Sequence, residues 1–341
     1  MKVIITGCAG LIGSNFCDYL VEQNPDIQII GIDNLSGGFI EHVNPKIQFM
    51  NVDLTIKEDQ EKIEKVFPVD YIFHFAAWAA CGMSGFVRQF NYTQNMISTA
   101  FLISTGIKYD VKRFIFTSSM CVYGSDNKSP YNEEMIPVPE DPYSISKYAC
   151  ELDLKAAYKQ HGLEYVIIRP HNVFGPKVNY ADPYRNVLAI WMNNTLTDKD
   201  ISIYGDGEQK RAFTYISNIL PCLWNAAINE KAKNQIINVG GIIENSINEC
   251  ADMVSEITGN KNIKYYEKRY EIKDAWCTYD KSIDILDYKE EVSVYDGLVL
   301  MWEWLKQQPQ RPRRYFDKYE LDKKMYSYWK LNGTSSNVKI E

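Results

Sequence analysis

The residues best suited to chemistry in this 341-residue chain are a tyrosine and a lysine one helical turn apart, Tyr143 and Lys147 in Tyr-Ser-Ile-Ser-Lys. A spacing of four predicts a helix with both side chains on one face. An ammonium in that position favours the phenolate and draws the tyrosine pKa down from about 10 towards neutrality. Tyr143 would then be a general base for a hydroxyl group. Ser119, which follows the apolar run Arg113–Ser118, offers a second hydroxyl to hold the same oxygen. A tyrosine and a lysine at this spacing also occur on helices where they merely pack, so the pair takes its meaning from its surroundings.

Those surroundings begin at the amino terminus. Thr6-Gly7-Cys8-Ala9-Gly10-Leu11-Ile12-Gly13 follows a short apolar run and opens a helical pattern. Glycines at 7, 10 and 13 permit a tight turn, the approach of a pyrophosphate, and packing of helix on sheet. The helix N-terminus adds amide donors and partial positive charge. Asp33 ends the next apolar run, 20 residues after Gly13. A carboxylate there accepts hydrogen bonds from a ribose diol and repels a 2′-phosphate. No arginine follows in Asn34-Leu35-Ser36-Gly37-Gly38 to offset that repulsion, so the expected cofactor is NAD.

The elements that must carry these residues alternate. Strands are predicted at Val3–Thr6, Gln28–Ile32, Lys46–Val52, Asp70–Phe75, Arg113–Ser118 and Tyr165–Arg169, and helices at Ser14–Gln23, Glu58–Val66, Asn91–Gly106 and Tyr143–His161. Short β-branched and aromatic runs between helices imply parallel strands buried on both faces. The expected fold class is α/β: a Rossmann-type doubly wound parallel sheet with a smaller α/β carboxyl-terminal substrate lobe. Residues 1–170 would form an NAD-binding domain whose sheet later segments complete, and 171–330 an interleaved substrate-binding lobe. Residues 176–186 and 200–215 read as loops around a site, with later strands at Ile236–Val239 and Ile263–Tyr266 and helices near 216–229, 246–258 and 293–307. A disordered tail is expected over 331–341.

Bulk properties narrow the class. A net charge of −7 argues against a nucleic-acid footprint, and no apolar run nears the ~20 residues of a membrane span. Residues 1–6 enter a strand directly, so no signal peptide is expected and the chain reads as cytoplasmic. The eight cysteines (Cys8, Cys17, Cys81, Cys121, Cys150, Cys222, Cys250, Cys277) form no C-x-x-C pair and read as reduced thiols. The four histidines (His42, His74, His161, His171) lack metal-ligand spacing, so no metal is expected.

With these residues in view, the sequence resembles the extended short-chain dehydrogenase/reductases, and within them the nucleotide-sugar epimerases and dehydratases. The resemblance covers about residues 1–305. It rests on TGCAGLIG, Asp33-Asn34-Leu35, Asp53-Leu54, HFAAWAA (74–80), Asn95, FTSSMCVYG (116–124), YSISK (143–147), RPHNVFGP (169–176) and GDGEQKRAFTYI (205–216). It implies that Leu11 and Ile12 line the pyrophosphate turn with Gly7, Gly10 and Gly13, and that Asp53 and Leu54 flank the adenine. Asn34, Ala76, Ala77, Asn95 and Pro170 would lie along the cofactor, with Lys147 also reaching the nicotinamide ribose. It further implies that Asn172 contacts the diphosphate of a nucleotide sugar and that Arg211 and Arg269 clamp phosphate or ribose. Members often pair as homodimers; the helices for that here are Asn91–Gly106 and Tyr143–His161.

The resemblance implies transient oxidation, usually at sugar C4. A 4-epimerase then needs no further acid or base. The 4,6-dehydratases carry Asp-Glu directly after the serine, where this chain has Met120 and Cys121. GDP-mannose 3,5-epimerases have cysteine at the position of Cys121, partnered by a lysine; Lys177 is a conceivable counterpart. Cys121 is thus either an acid/base or a small packing residue. The lysine of galactose epimerases after the histidine–alanine motif is Ala79 here, whereas RPHNVFGPKVNYADPYRNV and IYGDGEQKRAFTYI resemble UDP-glucose-4-epimerase-like bacterial proteins. The favoured expectation is 4-epimerisation of a UDP-sugar. Its alternatives are a 3,5-epimerase or dehydratase using Cys121, a net oxidoreductase acting on a keto-sugar, and a non-catalytic NAD-binding regulator.

Overall fold

The computed structural model describes residues 1–269, 271–316 and 318–334, the last four as backbone only. Six strands come in chain order from the amino-terminal half: β1 (Lys2–Thr6), β2 (Gln28–Asp33), β3 (Gln48–Asn51), β4 (Tyr71–His74), β5 (Arg113–Thr117) and β6 (Tyr165–Pro170). A seventh, Gln235–Val239, returns from the later chain to the edge beside β6. Every pair is parallel, in the order β3-β2-β1-β4-β5-β6-(235–239). Alternate residues explain why the sheet sits between two helical layers. Ile5, Phe73, Ile115 and Val166 pack on one face, and Ile4, Ile72, Phe114 and Ile167 on the other. The chain order reverses between β1 and β4, and such a reversal opens a crevice beyond the carboxyl ends of the strands.

The helix expected over Asn91–Gly106 runs from Arg88 to Lys108 but is not uniform: Arg88–Tyr92 and Ser98–Lys108 flank a π-helical turn at Thr93–Ile97. Such turns re-aim side chains inside a helix, and this one carries Asn95. The long helix begins at Pro142, one residue before the expected start, and ends at His161 against Gly162 in the left-handed conformation. Together these helices expose Ile97, Ile145, Leu152 and Tyr158.

Residues 200–215, expected as loop, contain strands Ile201–Tyr204, Lys210–Ala212 and Thr214–Tyr215. Ile201–Tyr204 pairs with Ile263–Tyr266, and Lys210–Ala212 lies between Glu244–Ser246 and Asp274–Ala275. Their shortness and the Gly-Asp-Gly between them hide the alternation a strand needs to be read. Helix Val187–Thr195 was likewise unforeseen, whereas helices Ile216–Ile228, Ile247–Thr258 and Val294–Leu305 fall near 216–229, 246–258 and 293–307.

Beyond Leu305 the chain crosses back over the molecule as a strap. The Pro309 carbonyl accepts the Tyr180 hydroxyl at 2.7 Å, and Arg311 pairs with Glu41 at 2.7 Å. Phe316 meets Trp78 and Phe90 edge-on, each at 5.3 Å between centroids. The Glu320 carboxylate accepts the Gln89 and Phe90 amides at 2.8 Å each. A helix over Ser327–Thr334 follows; residues 335–341, the rest of the segment where a tail is expected, lie outside the described residues. Among the described residues, no helix is long and apolar enough to cross a membrane.

Candidate active site

The glycine turn sits in the crevice between β1 and β4. Gly7 has φ +71°, and a Cβ on it would lie 2.9 Å from the Ala76 amide nitrogen; at Gly13 a Cβ would lie 2.2 Å from the Gly7 carbonyl oxygen. Side chains at these places would fill the cradle, which is therefore walled by backbone and suits a diphosphate. From the turn a groove of about 450 Å³ runs along the strand ends. Gly7, Gly10, Leu11, Ile12 and Gly13 line it at one end, Asp33, Asn34, Asp53 and Leu54 on one flank, and Ala76, Ala77 and Pro170 further along. Asp33 accepts the Ala9 amide at 3.0 Å and the Leu35 amide at 2.8 Å, so its carboxylate is held at the end of β2. Burial pushes its pKa up, against those two amides. Asn34 is tied to Asp53 at 2.8 Å. The donors, the carboxylate and the cradle fit NAD.

Asn95 departs from expectation. It does not line the groove, because its Oδ1 accepts the Trp78 amide at 2.8 Å while its Nδ2 donates to the Trp78 carbonyl and to Ser146, each at 3.2 Å. It pins the Trp78 loop to the long helix, and Gln94 and Ser98 line the groove instead.

Ser119, Tyr143 and Lys147 line the same groove. Asp141 caps the helix by accepting the Ser144 amide at 3.0 Å, with Pro142 in the first turn. Tyr143 thus lies at the positive end of the helix, which favours a phenolate. Ser119 ends a strand extension; its oxygen accepts the Cys121 amide at 3.2 Å, leaving its proton to donate. Lys147, 3% exposed, donates to the Thr117 carbonyl at 2.8 Å and lies 4.7 Å from the Phe116 ring centre. Its depression of the Tyr143 pKa was the expectation. In the protein alone burial instead pushes Tyr143 up, the Ser119 hydroxyl opposing it, and Lys147 itself is pushed down to about 8 by burial.

That buried ammonium destabilises the fold. Below pH 8 the folded chain holds Lys147 charged out of water, while the unfolded chain keeps it charged up to about 10.5. The penalty is therefore full below about 8, shrinks as pH rises through the folded value, and vanishes above 10.5. Lys147→Met is expected to abolish activity yet stabilise the cofactor-free protein at pH 7 by up to about 3 kcal/mol, less about 1 kcal/mol for the lost hydrogen bond to Thr117. Melting temperatures at pH 7 and pH 10 test this: a gain that does not fade at the higher pH would contradict it.

A second cavity, of about 610 Å³, adjoins the groove through shared walls at Ala79, Cys81, Cys121, Asn172, Arg185, Asn186 and Val187. Arg211 and Arg269 line it, but part of each guanidinium is committed. Arg211 donates to the Lys210 and Lys273 carbonyls at 2.7 Å each, and Arg269 donates to the Tyr328 hydroxyl at 2.6 Å. Asn172 donates to the Ala212 carbonyl at 3.0 Å. Met120 is buried with Tyr123 and Tyr131, whereas Cys121 is half-buried and faces both cavities. Cys81 donates to Asp141 at 3.1 Å. Lys177, the conceivable partner of Cys121, lines neither cavity: it pairs with Asp18 and donates to the His42 carbonyl at 3.3 Å.

Sequence reasoning missed Cys81, Asp141 and the strap's contribution to this cavity. Asp141 before Pro142, with Ser144 three residues on, is a readable capping signal. The strap gave no signal beyond its basic and aromatic composition.

The chain is similar to known proteins over most of its length. Residues 3–240 match the model of the NAD dependent epimerase/dehydratase family. A putative UDP-glucose 4-epimerase of Methanocaldococcus jannaschii is 32% identical, over 89% of this chain and 98% of its own. A UDP-glucose 4-epimerase of Thermotoga maritima, solved with UDP-glucose, superposes with a TM-score of 0.84 at 32% identity, over 90% of this chain and 99% of its own. A UDP-glucuronic acid 4-epimerase of Bacillus cereus, solved with UDP-glucuronic acid and NAD, gives 0.82 at 28% identity, over 90% and 99%.

Proposed function

The chain belongs to the NAD dependent epimerase/dehydratase family, and from that premise we propose that it inverts C4 of a nucleotide sugar, and specifically of a UDP-sugar. One observation carries the reading: Ser119, Tyr143 and Lys147 line the cofactor groove, and Ser119 is bonded to the amide of Cys121, a wall residue that the groove shares with the arginine-lined cavity. NAD, when bound, supplies a hydride acceptor and returns the hydride. Gly7, Gly10, Leu11, Ile12 and Gly13 would hold its diphosphate, Asp33 its ribose, and Asp53 and Leu54 its adenine side. Ser119 donates to the C4 oxygen, and Tyr143 takes that hydroxyl's proton. The Lys147 ammonium, four residues along the same helix, supports the phenolate. The proton returns from Tyr143 after the sugar has turned over.

No other acid or base is needed, and the two positions where dehydratases carry Asp-Glu hold no carboxylate here but Met120 and the Cys121 thiol. Met120 is buried apolar, and the nearby Asp141 carboxylate receives the cap amide, Ser84 and Cys81. The experiment is incubation with UDP-, GDP-, dTDP- and CDP-sugars in heavy water, followed by NMR and mass spectrometry. A C4 epimer of a UDP-sugar without deuterium is expected. Deuterium at C3 or C5, or loss of water, would overturn the proposal and point to Cys121.

A further inference from the structure

The relatives are covered over 98 and 99% of their own lengths yet reach only 89 and 90% of this chain. About a tenth of it therefore has no counterpart in them, and the strap beyond Leu305 is the segment that does something conspicuous in the structure. Its described part lies against the arginine-lined cavity beside the cofactor groove, where the nucleotide sugar of the proposed function would sit. Arg313, Tyr315, Tyr326, Tyr328 and Trp329 are wall residues of that cavity, which at its other end reaches Cys121. Trp329 is near both groups: a Cβ on Gly82, next to Cys81, would lie 3.6 Å from its ring, and the Arg269 guanidinium is 5.3 Å from its ring centre.

Resting on that reading of the cavity, we propose that the strap is part of the substrate site: it walls the nucleotide-sugar cavity, and Tyr328 positions Arg269 for the anionic part of the substrate. The Arg269 guanidinium lies 3.5 Å from the centre of the Tyr204 ring and 4.9 Å from that of Tyr328, with its Nε donating to the Tyr328 hydroxyl at 2.6 Å. Two rings and a hydrogen bond fix the plane of the fork. A fixed plane is the condition for meeting phosphate oxygens through paired N–H groups, and the flanking rings exclude water that would weaken that contact. Without Tyr328 the arginine keeps its charge but loses its aim. The strap is also held too well to be an incidental cover. Its Glu320 carboxylate bonds the amides of Gln89 and Phe90, and Arg313 bonds Asn194 in the lobe, so it bridges both sides of the cavity.

The test uses the full chain and four probes, UDP, GDP, dTDP and CDP, titrated by calorimetry into wild type, Tyr328→Ala, Tyr328→Phe and Trp329→Leu. Bound NAD and melting temperature are measured on each. Tyr328→Ala is expected to weaken the nucleotide that binds wild type by about tenfold or more and to raise KM alike, with kcat and NAD content little changed. Tyr328→Phe, which keeps one ring face, is expected to recover part of the loss, and Trp329→Leu to raise KM through the wall alone. If wild type binds one nucleotide and both Tyr328→Ala and Trp329→Leu bind it as tightly, the strap is only a structural cap and the proposal fails. If Tyr328→Ala unfolds, Trp329→Leu and Tyr328→Phe decide the matter by the same KM-against-kcat split. If wild type binds none of the four, the reading of the cavity itself falls, and the strap's role with it.

Discussion

Tyr143→Phe is expected to lower kcat by about two to four orders of magnitude while KM and bound NAD stay close to wild type. The ring is 7% exposed and packed at the start of the helix Pro142–His161, so phenylalanine fills the same space and only the hydroxyl is lost. That hydroxyl is the proposed acceptor of the sugar proton, and neither Lys147 nor Ser119 is placed to take over its task. Lys147 is turned to the Thr117 carbonyl, and the Ser119 oxygen already accepts the Cys121 amide. Because the removed interaction belongs to the transition state rather than to ground-state binding, the loss should fall on kcat. Steady-state kinetics with the sugar identified in the heavy-water experiment provide the measurement. A variant within tenfold of wild type would place the base elsewhere, with Cys121 the next residue to replace.

The second large effect is on stability. Glu151 and Arg169 are 0% and 1% exposed and joined by two bonds, Arg169 Nε to Oε1 at 2.9 Å and Nη2 to Oε2 at 2.6 Å. Ser118 adds a hydrogen bond to Glu151 at 2.5 Å, and the guanidinium rests 4.7 Å from the centre of the Tyr123 ring. The pair links the helix that carries Tyr143 and Lys147 to β6 and to the strand end that carries Ser119. Glu151→Ala leaves a buried guanidinium with no counter-charge, which costs about 3–5 kcal/mol, a drop in Tm of about 4–7 °C for a chain of this length. Adding Arg169→Met should restore much of the loss, since an apolar pair of similar volume needs no compensation. A single variant melting within about 2 °C of wild type would contradict this account.

The sheet was legible because its strands are buried on both faces, and runs such as Val3-Ile4-Ile5 and Phe114-Ile115-Phe116 have no other use. The glycine turn, Asp33, and the Tyr143–Lys147 face were legible because backbone approach and helical periodicity constrain residue type locally. The lobe's short strands were not, since Ile201–Tyr204 and Lys210–Ala212 are defined by partners at 263–266, 244–246 and 274–275 rather than by their own pattern. The fate of Asn95 was hidden for a similar reason. Its hydrogen bonds run to Trp78 and Ser146, and a π-helical turn sets where it points. Periodicity also says nothing about dielectric: the spacing of Tyr143 and Lys147 places them on one face, but burial raises the tyrosine pKa and lowers that of the lysine.

Asp141 gathers four donors onto one carboxylate: the Ser144 amide and hydroxyl from the long helix, and the Cys81 thiol and Ser84 hydroxyl from the short helix Cys81–Ser84. These two elements are consequently riveted into one rigid bank of the channel, and a hinge cannot run between them. Under the proposed reaction, a sugar that rotates within the site would draw its clearance from the facing bank. There Asn186, at φ +62°, starts the helix Val187–Thr195 behind Arg185.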